Sequence, residues 1–157
     1  MDKEKALKAW EFLKNNRLAS LATISSEENA PQASLIYYIA SENFHIYIVT
    51  AKDSRKFKNI TKNNKVALVV GQEMDPLVLQ LEGTTEIVED ESKIHDLSSR
   101  YLEIANSNTK TPNWPPVMRL SVSEGYVFVK ITVTHFKFSD FTGLDSFIIE
   151  GTPKDWQ

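Results

Sequence analysis

Ser54-Arg55-Lys56 follows a strand-like run and opens a short helix, and these residue types in that place point to the binding of an anion. A helix N-terminus carries roughly half a positive charge, so each cation placed there costs about 0.3 to 1 kcal/mol. A bound anionic group would offset that cost. Ser54 suits the N-cap, and the first backbone N–H groups of a helix lack intrahelical partners. With two cations beside them, these groups form a plausible seat for a phosphate.

Between Lys52 and Lys65 six cations (Lys52, Arg55, Lys56, Lys58, Lys62, Lys65) stand against Asp53 alone, a local charge of +5 in a chain of net charge −3. A basic character this local fits a small anionic ligand and argues against nucleic acid as a partner. Phe57 is the one aromatic residue of the segment, so the interleaved rings that stack on bases are missing. Lys58, Lys62 and Lys65 read as solvated surface that supplies only a long-range field. No cysteine is present, which excludes disulfides, thiolate catalysis and cysteine-ligated metals. His45, His95 and His135 are scattered singly, without metal-ligand spacing. No Ser/His/Asp set, paired catalytic carboxylates or glycine-rich phosphate loop stands out, and five glycines are too few for a dinucleotide fingerprint.

The elements that must position the basic triplet follow from the hydrophobic pattern. Ala6, Ala9, Trp10 and Leu13 recur at helical spacing over residues 3 to 16. Leu18 to Ser25, Pro31 to Ile39 and Phe44 to Thr50 read as three antiparallel strands joined by polar turns. A helix from about Arg55 to Asn63 comes next, then Lys65 to Gly71 as a fully apolar strand. Leu77 to Val88 alternates until Gly83 interrupts it, which predicts a long strand with a bulge or bend. Asp90 suits the N-cap of a helix to about Asn106. Pro112, Trp114, Pro115 and Pro116 predict a loop or arm, and Tyr126 to Phe138 a last long strand.

Six mostly antiparallel strands with peripheral helices predict a closed or nearly closed barrel, because closure removes exposed sheet edges. At 157 residues with 41% apolar and 25% charged content, one domain spanning 1–157 is expected. The charged, amphipathic N-terminus and the lack of any apolar run near 18 residues predict a soluble cytoplasmic protein with no membrane partner.

The order of elements and their residues resemble the pyridoxamine 5′-phosphate oxidase-like FMN-binding split barrels. The resemblance rests on Leu18–Thr23, Pro31–Tyr38, Ile46–Thr50, Ser54-Arg55-Lys56 and Asn63–Leu68, and continues more loosely to the last strand. It implies a mostly β fold, a six-stranded antiparallel split barrel, and a homodimer with FMN in clefts at the subunit interface. Arg55 and Lys56 would then hold the FMN phosphate with Ser54 nearby, and Thr50 would add a hydroxyl or backbone contact. Gln32, Ser34 and Ile36 would meet the isoalloxazine ring, Leu35 and Val49 would offer mainly backbone, and Gln80 would reach the flavin across the dimer. Trp114 would either cover the flavin or a substrate from the partner subunit or fill the dimer seam.

True pyridoxamine phosphate oxidases carry Arg where Gln32 stands, Lys where Tyr37 stands, and a C-terminal Arg-x-His motif. The tail Phe138–Asp145 has no Arg, so vitamin B6 oxidation is not implied. The expected activity is two-electron transfer between flavin and a small organic substrate or nicotinamide, with no residue assigned as acid or base. The rival is a non-catalytic flavin, haem or deazaflavin F420 carrier or sensor on the same barrel. For haem, His135 is the histidine to inspect.

Overall fold

The computed structural model describes residues 2–25, 27–41, 44–71, 74, 76–107 and 124–156. The proline-rich segment with Trp114 lies outside them. Helix α1 (Lys3–Asn15) is capped by Asp2, whose carboxylate accepts from the N–H groups of Glu4 and Lys5 at 3.1 and 3.4 Å. It buries Ala6, Ala9, Trp10, Phe12 and Leu13, the expected stripe plus Phe12. Strands β1 (Leu18–Ile24), β2 (Pro31–Ala40) and β3 (His45–Ala51) form the expected antiparallel meander. Helix α2 (Arg55–Lys62), strands β4 (Lys65–Val70) and β5 (Leu77–Ile87), helix α3 (Glu91–Ser107) and strand β6 (Tyr126–Asp140) follow.

The sheet runs in the order β3-β2-β1-β4-β5-β6, and pairing of β3 with β6 closes it into a six-stranded antiparallel barrel. The chain is therefore mostly β with peripheral helices, as its pattern predicts. The 15-residue β6 makes this closure possible: Tyr126–Thr132 pairs with β3, while Phe136–Asp140 pairs with a seventh strand, β7 (Phe147–Gly151). β7 departs from the expected six strands. Its five residues alternate between half-buried and exposed, a signal too short to stand out without β6 beside it. A short 3-10 turn, Pro153–Trp156, ends the described chain. Strand β4 forms where expected, with one face buried. Only Val66, Leu68 and Val70 enter the core, while Ala67 and Val69 face outward, because the barrel interior meets one side of each strand.

Two apolar clusters result. One fills the barrel and the space beneath α1; the other joins Leu97, Tyr101 and Ala105 of α3 to Ile39, Tyr47, Val49 and Phe128. The Asp90 carboxylate caps α3 by accepting from the Lys93 N–H at 2.7 Å. The buried Tyr101 hydroxyl, 3.2 and 2.9 Å from the carbonyls of Tyr37 and Tyr47, pins α3 to the β2–β3 pair. Among the described residues no helix is long and apolar enough to cross a membrane.

The end of β6 is tied to α1 through Asp140, which is 2% exposed and bonded to the Lys8 ammonium. The N–H and hydroxyl of Thr142 donate to the same carboxylate at 2.9 and 2.6 Å. Burial pushes this carboxyl up, but Lys8 and Thr142 together outweigh it and hold the pKa at about 2, against an ordinary 3.8. A pKa below its unfolded value adds stability that is complete above about pH 4 and is lost as pH falls to about 2. With Lys8 itself half-exposed, that contribution is about 1 to 2 kcal/mol. Lys8→Met is expected to move the acid limb of a urea-stability-against-pH curve to higher pH. An unchanged acid limb would refute the linkage.

Candidate functional site

At the end of β3 a turn closed by the Ser54 N–H on the Ala51 carbonyl, 3.2 Å away, delivers the chain into α2. Ser54 is the N-cap: its Oγ accepts from the Phe57 N–H at 3.1 Å. The same oxygen lies 3.0 Å from Oγ1 of Thr50, which is 3% exposed, so cap and strand end are locked together. Arg55 and Lys56 are then the first two helical residues, and the first turn holds no acidic residue. Their own N–H groups are left without an intrahelical partner.

Arg55 is exposed and Lys56 half-buried. Burial lowers the Lys56 ammonium from its ordinary pKa, a cost that a neighbouring anion would cancel. Elsewhere Lys5, Lys8, Lys93, Arg100 and Lys130 each have a carboxylate within ion-pair distance. Among the described residues, none of the six cations from Lys52 to Lys65 does. Positive charge is thus concentrated on a helix start without a close ion pair among the described residues.

Gln32, Ser34 and Ile36 share one face of β2, as alternation predicts. They differ in depth: Ile36 is turned into the barrel core, whereas Gln32 and Ser34 are half-buried. The Gln32 Oε1 accepts from Nδ2 of Asn59 on α2 at 2.8 Å. Asn59 also donates to Thr23 Oγ1 at 3.0 Å. Asn59 and Thr23 are the partners that the sequence alone did not single out. The available signal was a polar residue just before Ile60, on the side of α2 that must pack. A groove of about 390 Å³ beside them has Gln32, Asn59, Arg55 and Lys58 in its lining, together with the carboxylates Glu27 and Glu28.

Leu35 points the other way and is 61% exposed. The side chain of Val49 lies under α3, leaving its backbone for any ligand. Strand register aligns Leu35 with Ser20, Ser20 with Val69, and Val69 with Gln80, all exposed on the outer barrel face. Three strand spacings separate Leu35 from Gln80, about 14 Å. Thr50, Ser54, Arg55 and Lys56 are therefore brought together, with Gln32 sharing the Arg55 groove, while Gln80 stands apart within one chain. Trp114 is outside the described residues. Among those residues no cluster of three metal-ligating side chains occurs, and His135 Nε2 lies 2.9 Å from Glu150 Oε1 on the barrel exterior.

A family model described as pyridoxamine 5′-phosphate oxidase matches residues 6–140. No curated protein matches the sequence. Among solved structures, a protein related to general stress protein 26 (pyridoxinephosphate oxidase family) from Clostridium acetobutylicum superposes with a TM-score of 0.72 at 16% identity, covering 100% of both chains. A putative pyridoxamine 5′-phosphate oxidase from Listeria innocua gives 0.61 at 18% identity, covering 87% of this chain and 96% of that one. A heme binding protein from Mycobacterium smegmatis gives 0.67 at 14% identity, and the match covers 95% of this chain but 58% of that one. At these identities the likeness is one of fold.

Proposed function

This chain belongs to the pyridoxamine 5′-phosphate oxidase family, and from that premise we propose that it is a homodimeric FMN-binding protein acting in two-electron transfer on a small organic substrate or a nicotinamide. The observation that carries the reading is the start of α2: a half-buried Lys56 without a carboxylate within ion-pair distance among the described residues, beside Arg55 and the first N–H groups of the helix. A phosphate ester near −2 satisfies all of them with charge-assisted hydrogen bonds. Ser54 and Thr50 hold the helix start in place for it. Gln32 and Ser34 offer side chains to the polar edge of the ring, while Leu35, Ile36 and Val49 offer backbone. When bound, FMN supplies the redox chemistry; the chain supplies position and electrostatics.

The outer barrel face offers a surface for a second copy. Leu18, Leu35 and Val69 are exposed there among the small residues Ser20, Ala22, Ala33 and Ala67, a smooth apolar surface on β2-β1-β4. A second chain covering it would bring Gln80 to the neighbour's flavin. Val69→Glu is expected to yield monomer in sedimentation velocity and to weaken FMN binding at least tenfold. A wild-type monomer would dispose of the dimer, and tight FMN binding by monomeric Val69→Glu would dispose of the shared site. The primary test of the cofactor is a titration of purified protein with FMN, F420 and haem, followed by visible spectra. Preferential uptake of FMN supports the reading, and a Soret band with a bound histidine in its place would replace it with haem carriage. Turnover of NADH or NADPH with an acceptor separates enzyme from carrier.

A further inference from the structure

We propose that Asn59 is a positioning residue that locks the Gln32 side chain with its amide N–H₂ toward the ligand groove, so that Gln32 acts as a hydrogen-bond donor to the polar pyrimidine edge of the flavin. This rests on the FMN reading above. A glutamine amide presents either an acceptor or two donors to a ligand, and its hydrogen-bond partners decide which. Asn59, 6% exposed on α2, donates through Nδ2 to Gln32 Oε1 at 2.8 Å and to Thr23 Oγ1 at 3.0 Å. Both of its amide hydrogens are thereby used. Thr23 is 3% exposed, and its hydroxyl is directed at the Gln32 backbone carbonyl 3.4 Å away, which leaves its oxygen to accept from Asn59. The direction of every bond is consistent. With Oε1 held by Asn59, Nε2 is the end of the amide that has no partner among the described residues, and it carries the two donors.

Gln32 is half-exposed and lines the same groove as Arg55, a cation assigned to the phosphate. The reduced isoalloxazine ring carries more negative charge at its pyrimidine edge than the oxidised ring. A donor there favours the reduced form, and a carbonyl oxygen turned to the same place opposes it. Asn59 therefore influences the flavin without touching it.

The test has an arm with FMN and an arm without. Dissociation constants of oxidised and dithionite-reduced FMN are measured for wild type, Asn59→Leu, Gln32→Leu and the double variant. Asn59→Leu is expected to lower the preference for reduced FMN about tenfold, equivalent to about 30 mV in a two-electron potential. In the Gln32→Leu background the same change is expected to move nothing, because the coupling runs through Gln32. An equal shift in both backgrounds, or none in either, overturns the positioning role. Asn59→Ser, too short to reach Gln32, gives the same pattern and serves if Asn59→Leu does not fold. Without FMN, the Gln32 side-chain amide is followed by ¹⁵N NMR. It is expected to give one ordered pair of signals in wild type and an averaged pair in Asn59→Leu, and averaged signals in wild type overturn the lock itself. Failure of the wild type to take up FMN overturns the flavin reading and the donor role together, whereas unshifted ratios in FMN-loaded protein overturn the role of Asn59 alone.

Discussion

Arg55→Ala combined with Lys56→Ala is expected to weaken FMN binding at least 100-fold while leaving the apo protein as stable as wild type or slightly more so. Each charge-assisted hydrogen bond to phosphate contributes about 1.5 to 3 kcal/mol, so losing both cations removes roughly 3 to 6 kcal/mol, about two to four decades of affinity. Stability moves the other way. Both cations oppose the dipole of α2, and Lys56 also bears a desolvation cost that its lowered pKa reports. Removing them relieves about 0.3 to 1 kcal/mol apiece. Lys56→Ala alone is expected to cost more affinity than Arg55→Ala alone, since the exposed guanidinium is better screened by solvent and salt. Fluorescence titration with FMN and urea denaturation of the apo proteins measure the two quantities. Equal FMN affinity in wild type and double variant would remove the phosphate assignment, and a large loss of apo stability would mean that the cations hold the fold instead.

Gly83→Ala is expected to destabilise the barrel by about 2 to 3 kcal/mol, the upper range for overpacking a core. For a domain of this size that lowers the melting temperature by roughly 5 to 10 °C. The register of β5 on β6 slips between Glu82 and Gly83, so that Glu82 faces His135 and Gly83 faces Val133. A Cβ at Gly83 would sit 2.6 Å from the Thr132 carbonyl oxygen and 3.0 Å from Cγ2 of Ile131. The first of these atoms is backbone and has no rotamer by which to move away. No glycine described has a positive φ, so the requirement is for space and not for conformational freedom. Ile131 and Thr132 also pair with Ile46 and His45 of β3, which makes the bulge part of barrel closure. A melting curve unchanged by Gly83→Ala would show that β6 can shift without loss.

The bulge was legible in the chain because Gly83 breaks a run of alternating apolar residues, and a defect in period 2 is a local signal. The Ser54 cap, the wrong-signed charges behind it and the α1 stripe were legible for the same reason. Val66 to Val70 was legible as a strand but not in its facing, because a continuous apolar run does not say which side of the strand faces inward. The outward side of Val69 belongs to a face that, by this reading, a second copy covers. β7 was hidden because it depends on the surplus length of β6, beyond the pairing with β3.

What the sequence by itself determined is therefore the three helices and the first six strands, their order, and the anion-seeking chemistry of Ser54-Arg55-Lys56. Periodicity, capping and helix-end electrostatics act between residues within one or two turns of each other, so they can be read from neighbours alone. Only the tertiary structure decided which cations lack an ion pair among the described residues, which side of β2 faces outward, and which polar groups meet the Gln32 side chain. Those outcomes depend on strand register and on how α2 docks. Asn59 meets Thr23 and Gln32 across 36 and 27 residues of chain, and the packing of the whole barrel, not any local preference, brings these three polar groups within hydrogen-bond reach.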